Sequence, residues 1–229
     1  MENTGKAAVA EFIATFALIF VGAGSVIQYA NGKLDLTGVA LAHGLVLAIM
    51  VSLTMHTSGG VVNPAVAVAL WVTGKLDTVR TGVYIVAELL GAVAGGFLLK
   101  ALVPGSAFRA AQGGTPTVLL GIAPGKAVLF EAVASFFLIF AVFATAVDSR
   151  GPANRTAGFT IGLTIAFDIL AFGPYTGAAM NPARWFGPAL AAGVWTDWWV
   201  WIVGPVAGGI IAAVGYWAVF LRDSEPATP

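Results

Sequence analysis

The feature that most limits what this chain can fold into is a pair of Asn-Pro-Ala triplets, Asn63-Pro64-Ala65 and Asn181-Pro182-Ala183. Each opens an apolar stretch that is too short to cross a bilayer. The stretches are Val61 to Trp71 and Ala178 to Val194. Their helical parts, about ten residues each, span roughly 15 Å, about half of a hydrocarbon core of roughly 30 Å. Lipid cannot satisfy the open backbone end of a half-span, so both must be buried in protein or line a watery cavity. That requirement implies a surrounding bundle. Six other segments are long enough to supply it, at approximately 7–29, 37–57, 80–102, 126–148, 157–175 and 198–221. No segment shows the alternation of a membrane β-barrel, so the reading is helical. The first segment follows only six residues, its apolar run from Ala7 to Ala30 is longer than a signal-peptide core, and it lacks a cleavage site. It reads as a retained span.

The chain also repeats itself. Glu11-Phe-Ile-Ala-Thr-Phe-Ala-Leu-Ile-Phe20 matches Glu131-Ala-Val-Ala-Ser-Phe-Phe-Leu-Ile-Phe140, Gly44-Leu45 matches Gly162-Leu163, and the two triplets match each other. The offsets are 120, 118 and 118 residues. Near-constant spacing over three landmarks implies a duplication, with halves at approximately 1–102 and 126–222 joined by a loop at 103–125. Each half holds three spans and one half-span. Three is odd, so the halves enter the membrane from opposite sides, as an inverted repeat within one channel domain covering 1–229.

Composition agrees. Charged residues are 10% of the 229, against about 25% in soluble domains, while 59% are apolar and the net charge is zero. Neutrality gives no footing for nucleic-acid binding. Cysteine is absent, and no cluster of His, Asp or Glu has metal-ligand spacing, so neither a metal nor a cofactor is expected. With the N-terminus inside, Lys6, Lys75, Arg80, Arg150, Arg155 and Arg222 fall on the inner face and Lys33, Lys100, Arg109 and Lys126 on the outer. That bias favours cytoplasmic N- and C-termini, and the expected host is the plasma (inner) membrane. Trp195, Trp198 and Trp199 suit an interfacial belt.

A single Asn-Pro is an ordinary helix start, with Asn capping open amides and Pro fitting the first turn. Two of them, one per inverted half, bring two helix N-termini head to head near the midplane. Each N-terminus carries roughly half a positive charge, so the pair repels cations, hydronium included. The Asn63 and Asn181 amides can donate to a passing water oxygen, turning its hydrogens outward and breaking a proton wire. Before each motif the chain is extended and small-sided. The carbonyls of Gly59, Gly60 and Val61, and of Gly177 and Ala179, can face a lumen and accept from single-file water.

In these motifs the chain resembles the aquaporin family of major intrinsic proteins. The residues that carry the likeness are Ser58-Gly59-Gly60-Val61-Val62-Asn63-Pro64-Ala65-Val66, Thr176-Gly177-Ala178-Ala179-Met180-Asn181-Pro182-Ala183-Arg184, Glu11, Glu131 and Gly204-Pro205. The resemblance covers nearly the whole chain. It implies an all-α membrane protein of six transmembrane helices and two re-entrant half-helices, a homotetramer in the lipid bilayer with a pore through each monomer. Water and small neutral solutes would pass, and no catalysis is expected. By the same resemblance, Arg184 is the arginine of an outer constriction completed by His43, Ile169 and Ala178. Water-selective members usually carry Phe and His where this chain has His43 and Ile169. The set is similar to that of some plant vacuolar-membrane members, which adds ammonia or hydrogen peroxide to the expected solutes. A glycerol facilitator is the rival within the family; those members usually have Asp where Trp185 stands. A secondary transporter is a remote alternative, since it would need a coupling site that only Glu11, Glu88, Glu131 or Asp168 could provide. The resemblance gives Glu11 and Glu131 the role of holding backbone N–H groups of the half-spans. It puts Glu88 where Gln is common. His56 stands near the inner mouth as a candidate pH gate. Asp168 has three readings: facing the lumen, bonding His43, or meeting a neighbouring subunit.

Overall fold

The computed structural model describes residues 4–150 and 156–222; Arg155, counted above among the inner basic residues, lies outside them. Among the described residues nine α-helices follow one another: α1 (Thr4–Ala30), α2 (Leu36–Ser58), α3 (Pro64–Val72), α4 (Thr78–Leu102), α5 (Gly105–Ala110), α6 (Pro124–Val142), α7 (Ala157–Thr176), α8 (Pro182–Ala192) and α9 (Val200–Tyr216). Single π turns extend α6 through Phe143–Val147 and α9 through Trp217–Leu221. Among the described residues there is no strand. Six helices are long and apolar enough to cross a membrane. The remaining long-loop pair, α5 and a 3-10 turn at Gln112–Gly114, falls in the 103–125 segment read from sequence as plain loop.

The long helices leave large apolar side chains outside. Val9, Leu53, Leu90, Leu129 and Ile211 are all at least half exposed. So much apolar surface on every side is incompatible with water and suited to lipid or to further protein. Inside, the packing is backbone to backbone. α1 lies against α4 and α2, α6 against α9 and α7, and α2 against α7. Small residues permit this approach: a Cβ added at Gly208 of α9 would collide with the Ala132 carbonyl of α6.

The half-helices fill the middle. The Trp71 indole near the end of α3 donates to Thr78 Oγ1 at the start of α4 (3.0 Å). The Lys100 ammonium near the end of α4 donates to Ala191 O near the end of α8 (2.7 Å), where open helix carbonyls favour a cation. So α3 and α8 run from the centre toward opposite ends of α4. At the end of α6, Asp148 accepts from Arg150 (2.7 Å) and from the Tyr216 hydroxyl (3.1 Å), while Arg150 also donates to Phe220 O (2.6 Å). The guanidinium holds the Asp148 carboxyl well below the usual carboxylate range. Because the folded pKa is depressed, this clasp is fully formed above the ordinary Asp pKa and opens only in strong acid.

Gly208→Val is expected to cost about 1–3 kcal/mol through overpacking. A lowered melting temperature in detergent would register it; an unchanged one would mean that α6 and α9 are not in backbone contact.

Candidate functional site

Each half-helix begins from the same local chemistry. Asn63 and Asn181 are extended N-caps followed by Pro at the first helical position. Asn63 Oδ1 accepts from Ala65 N (2.9 Å), and Asn181 Oδ1 from Ala183 N (2.9 Å) and Arg184 N (3.2 Å). Their amide nitrogens reach across. Asn63 Nδ2 donates to Met180 O (2.8 Å) and Asn181 Nδ2 to Val62 O (2.9 Å). One N–H of each amide ties the two motifs together, and each side chain has one further N–H.

The segments before the triplets are strained and held. Val62 and Met180 both sit at φ 54, Ala178 at φ 43 and Gly60 at φ 62. For a β-branched residue such as Val62 that conformation is an outlier, of the kind that costs about 1–3 kcal/mol and persists only when the surroundings enforce it. The enforcing groups are buried carboxylates. Glu11 accepts from Val61 N (2.9 Å) and Val62 N (2.6 Å). Glu131 accepts from Ala179 N (3.0 Å), Met180 N (2.8 Å) and the Thr176 hydroxyl (2.7 Å). Glu88 accepts from Asn63 N (3.0 Å). The matching residues of the two halves bond in the same register: Ser58 Oγ accepts from Gly60 N and Thr176 Oγ1 from Ala178 N, both at 3.2 Å.

Three cavities lie along this seam. One, of about 310 Å³, opens at the α2 C-terminus and is lined by Ser58, Gly59, Gly60, Val61 and Val147 among others. A second, of about 20 Å³, is lined by both Asn63 and Asn181 and shares Gly60, Val61 and Ile161 with the first. Its volume suits one water at a time. The third, of about 430 Å³, opens at the other end between Tyr29, Thr115 and Gly177, with Arg184 in its lining.

His43 and Arg184 are both buried, and Arg184 is in the lining of the third cavity. Arg184 Nε donates to His43 Nε2 (2.9 Å) and Nη1 to Gly114 O (3.0 Å). An arginine only donates, so His43 Nε2 carries no proton. Nδ1 does, and donates to Val39 O (2.9 Å). The imidazole is thus neutral, with both nitrogens engaged. A methyl at Gly22 would overlap its ring, which is why α1 has no side chain there. Gly114 is at φ 75, and a Cβ on it would collide with the Ala23 carbonyl, so the loop can offer its carbonyl to Arg184 only with glycine at that place.

Of the other expected residues, Ile169 and Ala178 are buried in the same apolar cluster. Gly177 lines the third cavity. Ala179 belongs to a second apolar cluster with Trp185 and Trp201. His56 is exposed in the last turn of α2 and is not among the residues lining the first cavity, although Met55 and Ser58 on either side of it are. Asp168 is wholly buried with both oxygens unpartnered. It does not bond His43, whose nitrogens are taken, and it is closed to a neighbouring subunit. Trp185 stacks on Trp201 (5.5 Å, 6°), and Trp201 Nε1 donates to Thr176 O (3.0 Å). Thr176 could have been found from the repeat, being the counterpart of Ser58. Gly22, Gly114 and Trp201 had no local signal.

Two capped half-helices meeting at a one-water cavity, between two wider mouths and inside six membrane-length helices, define a membrane channel of the inverted half-helix type. The major intrinsic protein family model matches residues 2–216, and the chain belongs to that family. It is 44% identical to Aquaporin TIP4-4 of Zea mays over 95% of this chain and 88% of that one. It is 42% identical to Aquaporin TIP2-1 of Arabidopsis thaliana over 96% and 89%. The fold is similar to the X-ray structure of the aquaglyceroporin from Plasmodium falciparum, with a TM-score of 0.88 at 26% identity, covering 96% of this chain and 98% of that one. The chain is an integral multi-pass membrane protein.

Glu131→Ala would orphan two amides and a hydroxyl, at about 1–3 kcal/mol for each buried group. Unfolding in detergent should therefore shift strongly. Thr15→Ala, which removes a buried hydroxyl that has no partner, should shift it little. Equal shifts would refute the anchoring role of Glu131.

Proposed function

We propose that the chain is a passive channel that conducts water and excludes protons and ions. The observation that carries this reading is the cavity of about 20 Å³ lined by both Asn63 and Asn181, with a helix N-terminus behind each. Two positive helix ends and one free N–H per asparagine orient a water by its oxygen and repel cations. His43, Ile169, Ala178 and Arg184 form the filter. Arg184 supplies its positive charge, His43 a neutral wall and Ile169 an apolar one. Gly59, Gly60, Val61, Gly177 and Ala179 supply carbonyl acceptors. Ammonia and hydrogen peroxide are further solutes, because an apolar wall at Ile169 replaces a second polar group.

The chain acts as one channel domain of two inverted halves, with no catalytic role and as a homotetramer. The opposed directions of α3 and α8 and the matched hydrogen-bond register support the first point, and the exposed apolar faces support the last. Both termini are read as cytoplasmic from the basic bias. The plasma (inner) membrane is the host in that reading, and the vacuolar-type filter is the observation that argues otherwise. Fractionation of a tagged chain separates the two. Glycerol is disfavoured, since the relatives at 42 and 44% identity are named aquaporins while the aquaglyceroporin stands at 26%.

Stopped-flow light scattering on proteoliposomes tests the proposal. Wild type should shrink fast under an osmotic step, with passive, linear flux and without glycerol re-swelling. Arg184→Val should keep water flux and admit larger neutral solutes. Slow water flux from well-incorporated protein would overturn the water-channel reading, and an unchanged solute range in the variant would remove Arg184 from the filter.

A further inference from the structure

The two halves anchor their motifs with unequal chemistry. In the second half, one carboxylate, Glu131, holds the segment, and α9 contains no acidic residue. The positions that match Glu88 at offsets of 118 and 120 are Val206 and Gly208. In the first half, two carboxyl groups hold three consecutive amides. Glu11 takes Val61 N and Val62 N, and Glu88 takes Asn63 N. Both carboxyls are completely buried. α1 and α4 are drawn together at this level, because Gly91, three residues after Glu88, lies against the Phe12 carbonyl, one residue after Glu11. Because Val61, Val62 and Asn63 are consecutive, the two carboxyl groups that hold their amides stand close together in a space closed to water. Two bare carboxylates so placed repel each other, and neither has a donor to offer the other. One shared proton removes that cost.

Its position follows from the remaining bonds. Glu11 accepts two backbone amides, one on each oxygen. Those donors favour its charged form. Glu88 accepts one amide through Oε1, and its Oε2 is buried with no donor from any other neighbour. An oxygen that lacks a donor and faces a well-solvated anion is where a proton completes the network.

We propose that Glu88 is a neutral carboxylic acid that donates its proton to Glu11, and that through its bond to Asn63 N it is the positioning residue that aims the Asn63 amide. The pair then carries one negative charge, as Glu131 does alone. Both motifs are anchored by a single charge, and Asn63 gains a backbone anchor from α4. A glutamine at position 88 would do the same work, since its amide can donate to Glu11 and its oxygen accept from Asn63 N. The assignment of the proton stands on the geometry; its bearing on flux rests on the water-channel reading.

Infrared absorption of reconstituted protein in D2O at neutral pH separates these two parts. The difference between wild type and Glu88→Gln should show the loss of one carboxylic-acid C=O band above the amide I region. Loss of a carboxylate band instead would overturn the proton assignment, whatever the flux. In proteoliposomes, Glu88→Gln should keep water permeability close to wild type, while Glu88→Leu, which strands Asn63 N and Glu11 together, should cut it severalfold. Equal permeability of the Gln and Leu variants would overturn the positioning role. If neither wild type nor variants conduct water, the channel reading fails while the infrared result still stands.

Discussion

A backbone amide left open at the centre of a bilayer has no water to bond, and two carboxylates, Glu11 and Glu131, meet that need for the two irregular segments of this chain. Everything in the middle of the molecule depends on them. Without a fixed partner, the amides of Val61, Val62, Ala179 and Met180 would be left open in a buried space. With the partner, the chain accepts positive φ at Val62 and Met180, and their carbonyls accept from Asn181 and Asn63. The strain at these residues is the cost of presenting carbonyls and helix ends to one narrow seam. A buried charge is expensive in this setting, and it is tolerated because each carboxylate is surrounded by donors.

The fold was largely legible because membrane spans are set by length and apolar content alone. The segment read at 7–29 is α1 at Thr4–Ala30, and the one at 157–175 is α7 at Ala157–Thr176. The half-helices were legible for a different reason: Asn-Pro is a local capping signal, and its recurrence at an offset of 118 tied two local signals together. What stayed hidden lacks either property. α5 and the turn at Gln112–Gly114 are short, and the turn depends on glycines at positive φ. The bond between His43 and Arg184 spans 141 residues. No periodicity encodes such a contact, and only the family resemblance placed both residues in one site. His56, read as a candidate gate from its place near one mouth, is exposed in the last turn of α2 beside the residues that line the first cavity.

The departures from the family pattern form two groups with different physical meaning. Trp185 is absorbed by packing. It stacks on Trp201, and Trp201 fixes the Thr176 carbonyl, so the large ring braces the far side of the segment that Glu131 holds. Glu88 and Asp168 are acids on membrane helices. Glu88 finds a backbone amide and a neighbouring acid. Asp168 finds no partner, and the structure provides no account of why a carboxyl stands there.

In the proposed filter, His43 is polar with both ring nitrogens already committed. Its Nε2 accepts from a guanidinium that cannot give up its proton in the physiological range, and its Nδ1 donates to the α2 backbone. Protonating the ring would require breaking the contact with Arg184 and placing two cations side by side in a buried space. In the water-channel reading, the positive field between the third cavity and the two asparagines comes from one fixed side chain and two helix ends. Arg184 is itself held from two directions, by α2 through His43 and by the loop through Gly114 O. The place of the guanidinium thus depends on how closely that loop docks on α1, where Gly114 leaves no room for a side chain. In the water-channel reading, selectivity against charge is a fixed property of the backbone and one arginine, and selectivity by size rests on the loop.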